Sequence, residues 1–167
     1  MKVCGFSFIR NAIKYGYPFS EAIRSVLPLC DKFYVAVGNS DDGTHELISD
    51  IDPEKIVIID TIWDDTLREG GRVLAVETDK AFQAIPDEFD WAFYIQGDEV
   101  LHEKYLPVVQ SAMEKWVHNP RVDGLLFHYT HFYGSYDYVG SSARWYPFEI
   151  RVIKNNKKIY SYRDAQG

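Results

Sequence analysis

The sequence predicts an α/β fold: a three-layer sandwich with a mostly parallel central sheet, helices on both faces and a mixed C-terminal part. Three observations predict it. Short apolar runs alternate with helical stretches from residue 3 to residue 116, the order of a parallel sheet with crossover connections. The third run, 55–62, is an almost continuous Ile/Val stretch, which implies burial on both faces. After Asn119-Pro120 the helices stop and apolar segments follow one another directly, which points to antiparallel or mixed pairing. At 167 residues the chain is one domain's worth of sequence.

Each element has its own signal. Residues 3–9 read as a strand and 19–29 as an amphipathic helix, with Ser20 a capping option. Residues 32–37 form the second strand. The turn 38–44 then leads into a short helix over 44–51, with Thr44 as its cap, and Pro53 closes it. Strand 55–62 is followed by Gly70-Gly71 and a long helix over 72–84, which Pro86 closes. Residues 91–96 are the fourth strand, and a helix is expected over 102–116. Strands are expected over 124–131 and 149–154, then a turn at Asn155-Asn156 into a further strand over 159–162, while 134–143 reads as an exposed loop carrying tyrosines. The chain stops at Gly167 in mid-pattern, which predicts a single domain, 1–167, lacking its C-terminal portion.

Composition excludes several functions. A formal charge of −7 with no Lys/Arg stripe argues against nucleic-acid binding. No apolar run approaches the ~18 residues that suit a membrane span, and the N-terminus lacks a signal-peptide pattern. The two cysteines, Cys4 and Cys30, sit in apolar contexts and read as buried free thiols. The expectation is a cytoplasmic protein without a transmembrane segment, with attachment at the inner membrane face and homodimer formation left open. Dinucleotide, P-loop and hydrolase signatures are absent from the sequence.

Four constellations carry chemistry. The strand 91–96 delivers Gln96-Gly97-Asp98-Glu99 at its C-terminal end, where open α/β sheets bind ligands. Two carboxylates there suit a hard divalent cation, although acidic residues also simply begin helices. The loop 38–44 enters a helix N-terminus, a place for an anion or a ribose, with Asn39 and Asp41 as contacts; a turn plus cap explains it equally. Glu69-Gly70-Gly71-Arg72 allows backbone amides and Arg72 to approach a phosphate, or is ordinary loop chemistry. The aromatic tract between Phe127 and Phe148 offers Tyr136, Tyr138 and Trp145 for stacking on sugar rings, against packing or an interface as the plain alternative. His128 and His131 are rejected as a metal pair, because on a strand their odd spacing separates them.

Taken together, these residues resemble the GT-A glycosyltransferases, and within them the family 2-like bacterial enzymes. The resemblance covers most of residues 3–115 and rests on Phe8-Ile9-Arg10-Asn11, Ser40-Asp41-Asp42-Gly43-Thr44 and Gln96-Gly97-Asp98-Glu99-Val100-Leu101. It implies sugar transfer from a nucleotide-diphosphate donor to a glycan or lipid-linked hydroxyl acceptor, assisted by Mg²⁺ or Mn²⁺. Asp98 and Glu99 would hold the metal; Arg10, Asn11, Asn39, Asp41, Arg72, Gln96 and Asp98 would meet the nucleotide sugar. Asp164, Glu149 and Asp137 are the carboxylates available as catalytic base. Two departures stand out: the first acid of the family's Asp-x-Asp motif is Gln96, and Val37-Gly38 replaces an acid after the second strand. These departures favour, as an alternative, a catalytically silent nucleotide-sugar or glycan-binding module. Nucleotidyl transfer would want a glycine- and basic-rich first loop, which 6–10 does not supply.

Overall fold

The computed structural model describes residues 1–67, 69–142 and 144–162. Strands β1 (Val3–Ile9), β2 (Lys32–Gly38), β3 (Ile56–Thr61), β4 (Trp91–Tyr94), β5 (Gly124–His128) and β8 (Phe148–Lys154) form one six-stranded sheet in the order β3-β2-β1-β4-β8-β5. A separate antiparallel ribbon pairs β6 (Phe132–Tyr133) with β7 (Ser135–Val139). In the main sheet β1, β2, β3 and β4 are parallel, and β8 runs antiparallel to both β4 and β5. The helices are α1 (Ala12–Tyr15), α2 (Phe19–Val26), α3 (Thr44–Ser49), α4 (Arg72–Gln83) and α5 (Leu106–Trp116). The three-layer α/β reading of the sequence is the architecture found.

Alternation along each strand sorts the core into two halves. Val3, Ile9, Phe33, Val35, Val37, Trp91 and Phe93 pack against Ile23 and Val26 of α2, Ile48 of α3 and Met113 of α5. Cys4, Phe6, Ala36, Ala92 and Tyr94 face the other way, onto Ala81 and Phe82 of α4. The chain thus runs outward from β1 to β3 under α2 and α3. Helix α4 then carries it back across the opposite face to place β4 on the other side of β1. Both cysteines are buried and free; burial raises their thiol pKa values, that of Cys4 to about 12.

The structure differs from the sequence reading at several places. The Ile/Val run of β3 is only partly buried, because β3 is the edge of the sheet, and β5 ends at His128, short of residue 131. Residues 159–162 are not a strand: β8 has β4 on one edge and β5 on the other, so no edge is left to pair with. That segment instead lies over α4, held by Ser161 N donating to Asp79 Oδ1 at 2.7 Å. The tyrosine-bearing loop is partly a ribbon, its tight turn made by Gly134 at φ 74°. The helix expected over 102–116 is divided, because Pro107 lacks the N–H to extend a turn begun at Glu103. Thr44 is not the cap of α3; Gly43 occupies that position at φ 79°, and the Asp42 carboxylate accepts from Thr44 N at 3.1 Å.

Gly5 is a packing requirement at the sheet's centre. It pairs with Phe33 on one side and Phe93 on the other, and a Cβ there would stand 2.1 Å from Phe33 Cδ2. Since Phe33 is fully buried, its ring has nowhere to move. Gly5→Ala is expected to destabilise the domain by about 1–3 kcal/mol through overpacking, read as a lower urea midpoint with an unchanged slope.

Candidate functional site at the reversal of strand order

Strand order reverses between β1 and β4, and the connections leaving these parallel neighbours diverge to opposite sides of the sheet. That leaves a crevice beyond their carboxyl ends. A cavity of about 550 Å³ occupies it, lined by Arg10, Asn11, Trp63, Asp65, Gln96 and Asp98 among others. Val73 and Leu74 also line it, so the N-terminus of α4 opens onto the same space. The two glycines before α4 both take left-handed conformations, Gly70 at φ 65° and Gly71 at φ 71°, which turns the chain into the helix start.

One end of the cavity is aromatic and basic. The Arg10 guanidinium lies 5.6 Å from the centre of the Trp63 ring and 3.2 Å from Asp65. Trp63 covers Gly38, where a Cβ would meet the indole Nε1 at 2.5 Å. The glycine after Val37 is therefore what lets the indole lie down against the strand ends. The other end is carboxylate-bearing: Asp98 stands at the rim, exposed, near Tyr15 and Tyr17. Desolvation by the surrounding protein, followed by the charge of Glu99, raises the Asp98 pKa.

Behind this turn lies a buried ion pair that the sequence reading missed. Arg151 of β8 is 3 % exposed and grips Glu99 with two bonds, Nη2 to Oε1 at 2.6 Å and Nε to Oε2 at 2.9 Å. Its guanidinium sits 5.2 Å from the ring centres of Tyr94 and Tyr129 alike. Burial opposes the charge on Arg151, but the hydrogen bonds and charge of Glu99 outweigh it and the pKa rises. Glu99, read from the sequence as a metal ligand beside Asp98, thus has both oxygens engaged and does not line the cavity. A basic residue inside the apolar run 150–153 is the signal that marked Arg151 in the sequence. Trp63 carried no signal beyond its place after a strand.

Several expected ligand contacts are occupied within the fold. Asn11, at φ 51°, accepts from Asp41 N through Oδ1 at 3.0 Å, and its own N–H donates to Ser40 Oγ at 2.9 Å. The Asp42 carboxylate accepts from Lys14 N at 2.8 Å and from the Thr44 hydroxyl at 2.6 Å, and Thr44 Oγ1 accepts from Ala12 N at 3.0 Å. These bonds clasp the loop after β2 to the loop after β1. Asn39, Asp41 and Arg72 are exposed and stand outside the cavity lining, whereas Arg10, Asn11, Gln96 and Asp98 are in it. Gln96 donates from Nε2 to the Tyr94 hydroxyl at 3.2 Å.

Because β5 runs parallel to β4, the described residues of 129–142 and 144–147 follow from the same end of the sheet as Asp98. Tyr138 and Trp145 share an open groove of about 880 Å³ with Tyr133 and Arg144. Tyr136 is 86 % exposed and packs edge-on against Phe132 instead. Of the base candidates, Asp137 lies on β7, away from the cavity lining, and Asp164 lies outside the described residues. Glu149 lies 3.9 Å from Arg151. The Tyr146 pKa is raised first by burial and then by the charge of carboxylates, Glu99 ahead of Glu149 and Asp98. Among the described residues no group of three or more His, Cys, Asp or Glu could hold a metal by itself. His131 bonds the Tyr146 carbonyl through Nε2 at 2.6 Å. No helix among the described residues is long and apolar enough to cross a membrane.

The fold is a nucleotide-diphospho-sugar-transferase-like three-layer α/β sandwich. The 4-diphosphocytidyl-2C-methyl-D-erythritol synthase of Anaerococcus prevotii superposes on 92% of this chain and 70% of its own, with TM-score 0.55 and 11% identity. TarS of S. aureus, residues 1–349, matches with TM-score 0.47 and 17% identity, over 69% of this chain. Its complex with UDP gives 0.48 and 18%. The match takes in 33% of that TarS chain, about a third of its length. No protein-family model matches the sequence, and no curated protein matches it. The likeness is one of fold, and fold does not fix the reaction.

The clasp has a stability signature. Burial acts to raise the Asp42 pKa, but hydrogen bonds from Thr44 and from backbone N–H groups outweigh it, leaving the value depressed. Such a group contributes stability that is present above its unfolded pKa, about 3.9, and is lost as pH falls through the folded value. Asp42→Ala should cost about 1–2 kcal/mol at neutral pH. Measured by denaturant melts from pH 7 to pH 2, its stability should also fall less steeply on the acid side than that of the wild type.

Proposed function

We propose that the crevice binds a nucleotide-diphosphate sugar and that the chain is a metal-dependent glycosyltransferase domain acting on a hydroxyl of a glycan acceptor. One observation carries the reading: a single cavity at the reversal of strand order unites an aromatic, basic end with a lone available carboxylate, Asp98. A planar base suits the Arg10–Trp63 end. A diphosphate suits the α4 N-terminus, whose first amides lack intrahelical partners. Mg²⁺ typically takes one or two protein carboxylates and completes its shell with water and substrate phosphates, so Asp98 alone on the protein side fits Mg²⁺ or Mn²⁺. When bound, the ion would stabilise charge on the departing nucleotide diphosphate as a Lewis acid.

The chain's own residues would do the rest. Arg10 and Trp63 hold the base end, and Gly97 keeps the turn beside Asp98 free of a side chain. Glu149, beside Arg151 and outside the cavity lining, remains a candidate for taking the acceptor proton, and Tyr138 and Trp145 line the groove proposed for the acceptor. The fold shared with a 4-diphosphocytidyl-2C-methyl-D-erythritol synthase is compatible with a nucleotide ligand. A catalytically silent nucleotide-sugar or glycan-binding module on the same fold is the second reading. It draws on Gln96, whose amide bonds the Tyr94 hydroxyl where the family carries an acid.

Thermal-shift titration with UDP, GDP, CDP and dTDP, each with and without Mn²⁺, tests the site. One nucleotide should raise the melting temperature in a Mn²⁺-dependent way, and Asp98→Ala should abolish the metal-dependent part while leaving the fold intact. Absence of any shift for every nucleotide would refute donor binding; binding without sugar transfer or donor hydrolysis would select the silent module. Trp63→Ala should weaken the same nucleotide with and without metal alike, by about 1–3 kcal/mol, a factor of roughly 5 to 150 in Kd. Isothermal titration measures it.

A further inference from the structure

A buried ion pair is a poor device for stability alone, since desolvation offsets most of its attraction and apolar residues of similar volume hold a fold as well. Arg151 nevertheless lies within an apolar run of β8, sandwiched between two phenol rings and closed onto Glu99 by a two-pronged contact. What such a fork supplies that an apolar pair cannot is orientation. The Glu99 carboxylate so oriented also accepts from Gln96 N at 3.1 Å, while Glu99 N donates to Gln96 O at 3.2 Å. The turn from Gln96 to Glu99 is therefore closed twice, by backbone and by a side chain that Arg151 holds still. The third link runs from Gln96 Nε2 through the Tyr94 hydroxyl, which stands 3.4 Å from Thr78 Oγ1 on α4. Arg151 donates its remaining arm to the Ile150 carbonyl at 3.0 Å. Asp98, at the crest of this turn, has only a backbone hydrogen bond within its own residue and no side-chain partner comparable to Arg151.

We propose that Arg151 is a positioning residue: through Glu99 it sets the Gln96–Glu99 turn so that the Asp98 carboxylate faces the cavity in one orientation. Glu99 then acts as the strut between β8 and the turn rather than as a ligand. The inference rests on the nucleotide-sugar reading for its functional consequence, but its structural core concerns the ligand-free protein.

Arg151→Lys keeps the charge and loses the fork. In ligand-free protein, ¹⁵N NMR should show the Gln96, Gly97 and Asp98 amides shifted and exchanging with solvent at least tenfold faster, with the amides of β1 to β3 in place. The Mn²⁺-dependent gain in nucleotide affinity should fall tenfold or more, with metal-free affinity unchanged, a split that a general loss of stability would not produce. Glu99→Gln keeps the shape and an acceptor for Gln96 N, and serves the same readouts if Arg151→Lys does not fold. A folded variant with wild-type amide positions and exchange at 96–98, or with the full Mn²⁺ gain, would overturn the positioning role. Absence of any Mn²⁺ gain in the wild type would overturn the metal-dependent part of the proposed function instead, and the amide readout would still decide the role of Arg151.

Discussion

The parallel pairing of β1 with β4 is the constraint on which the rest of the structure depends. Parallel neighbours cannot be joined by a tight turn, so each must be reached by a crossover. Because β2 and β3 lie to one side of β1 and β4 to the other, the crossovers occupy opposite faces: α2 and α3 on one, α4 on the other. The carboxyl ends of β1 and β4 are left without a covering connection. Everything of chemical interest gathers there, including the Arg10–Trp63 stack, the α4 N-terminus and Asp98. The antiparallel β8 completes the arrangement by bringing a residue from late in the chain behind the β4 turn, so that Arg151 can reach Glu99 across 52 positions of sequence.

The crevice is held open by hydrogen bonds rather than by apolar packing. Loops after β1 and β2 are short and polar, and neither has a core of its own. Ser40, Asp42 and Thr44 satisfy the backbone N–H groups of Asn11, Lys14 and Ala12, the donors that the short α1 leaves without partners at its start. The clasp therefore does for two loops what a cap does for one helix. It also explains why a motif that resembles a nucleotide loop can be dense in polar residues without presenting them: their hydrogen-bonding capacity is spent between the loops. Arg10, one residue earlier, escapes this because its length carries the guanidinium past the clasp to Trp63.

Much of the fold was legible in the sequence. The apolar runs that become β1, β2 and β4 are buried on both faces or nearly so, and such strands announce themselves by composition alone; the Ile/Val run of β3 misled on this point, since β3 is the sheet's edge and is only partly buried. The C-terminal part was less legible. Residues 159–162 have the alternating look of a strand, but a strand needs a free edge, and pairing with β4 and β5 had already used both edges of β8. The tyrosine-rich segment was assigned as a loop for its polarity, yet alternation of Ser135, Tyr136, Asp137 and Tyr138 also suits a ribbon with both faces in solvent. At the site, Asp98 was visible because a carboxylate follows a buried strand. Glu99 beside it was visible for the same reason, and there adjacency misled, since neighbouring residues on a tight turn point in different directions.

Local order was thus determined by the sequence itself: the alternation of strand and helix, the parallel core, the place of Gln96-Gly97-Asp98-Glu99 at a strand's end. Those properties depend on periodicity and on residues within a few positions of one another. The tertiary structure alone decided which polar residues remain available. Asn11 and Asp42 are spent on the loop clasp, Glu99 on Arg151 and Gln96 on Tyr94, while Asp98 keeps its place at the cavity rim. Each of those outcomes is a competition for hydrogen bonds between groups distant in sequence, and only the packed sheet brings the competitors together.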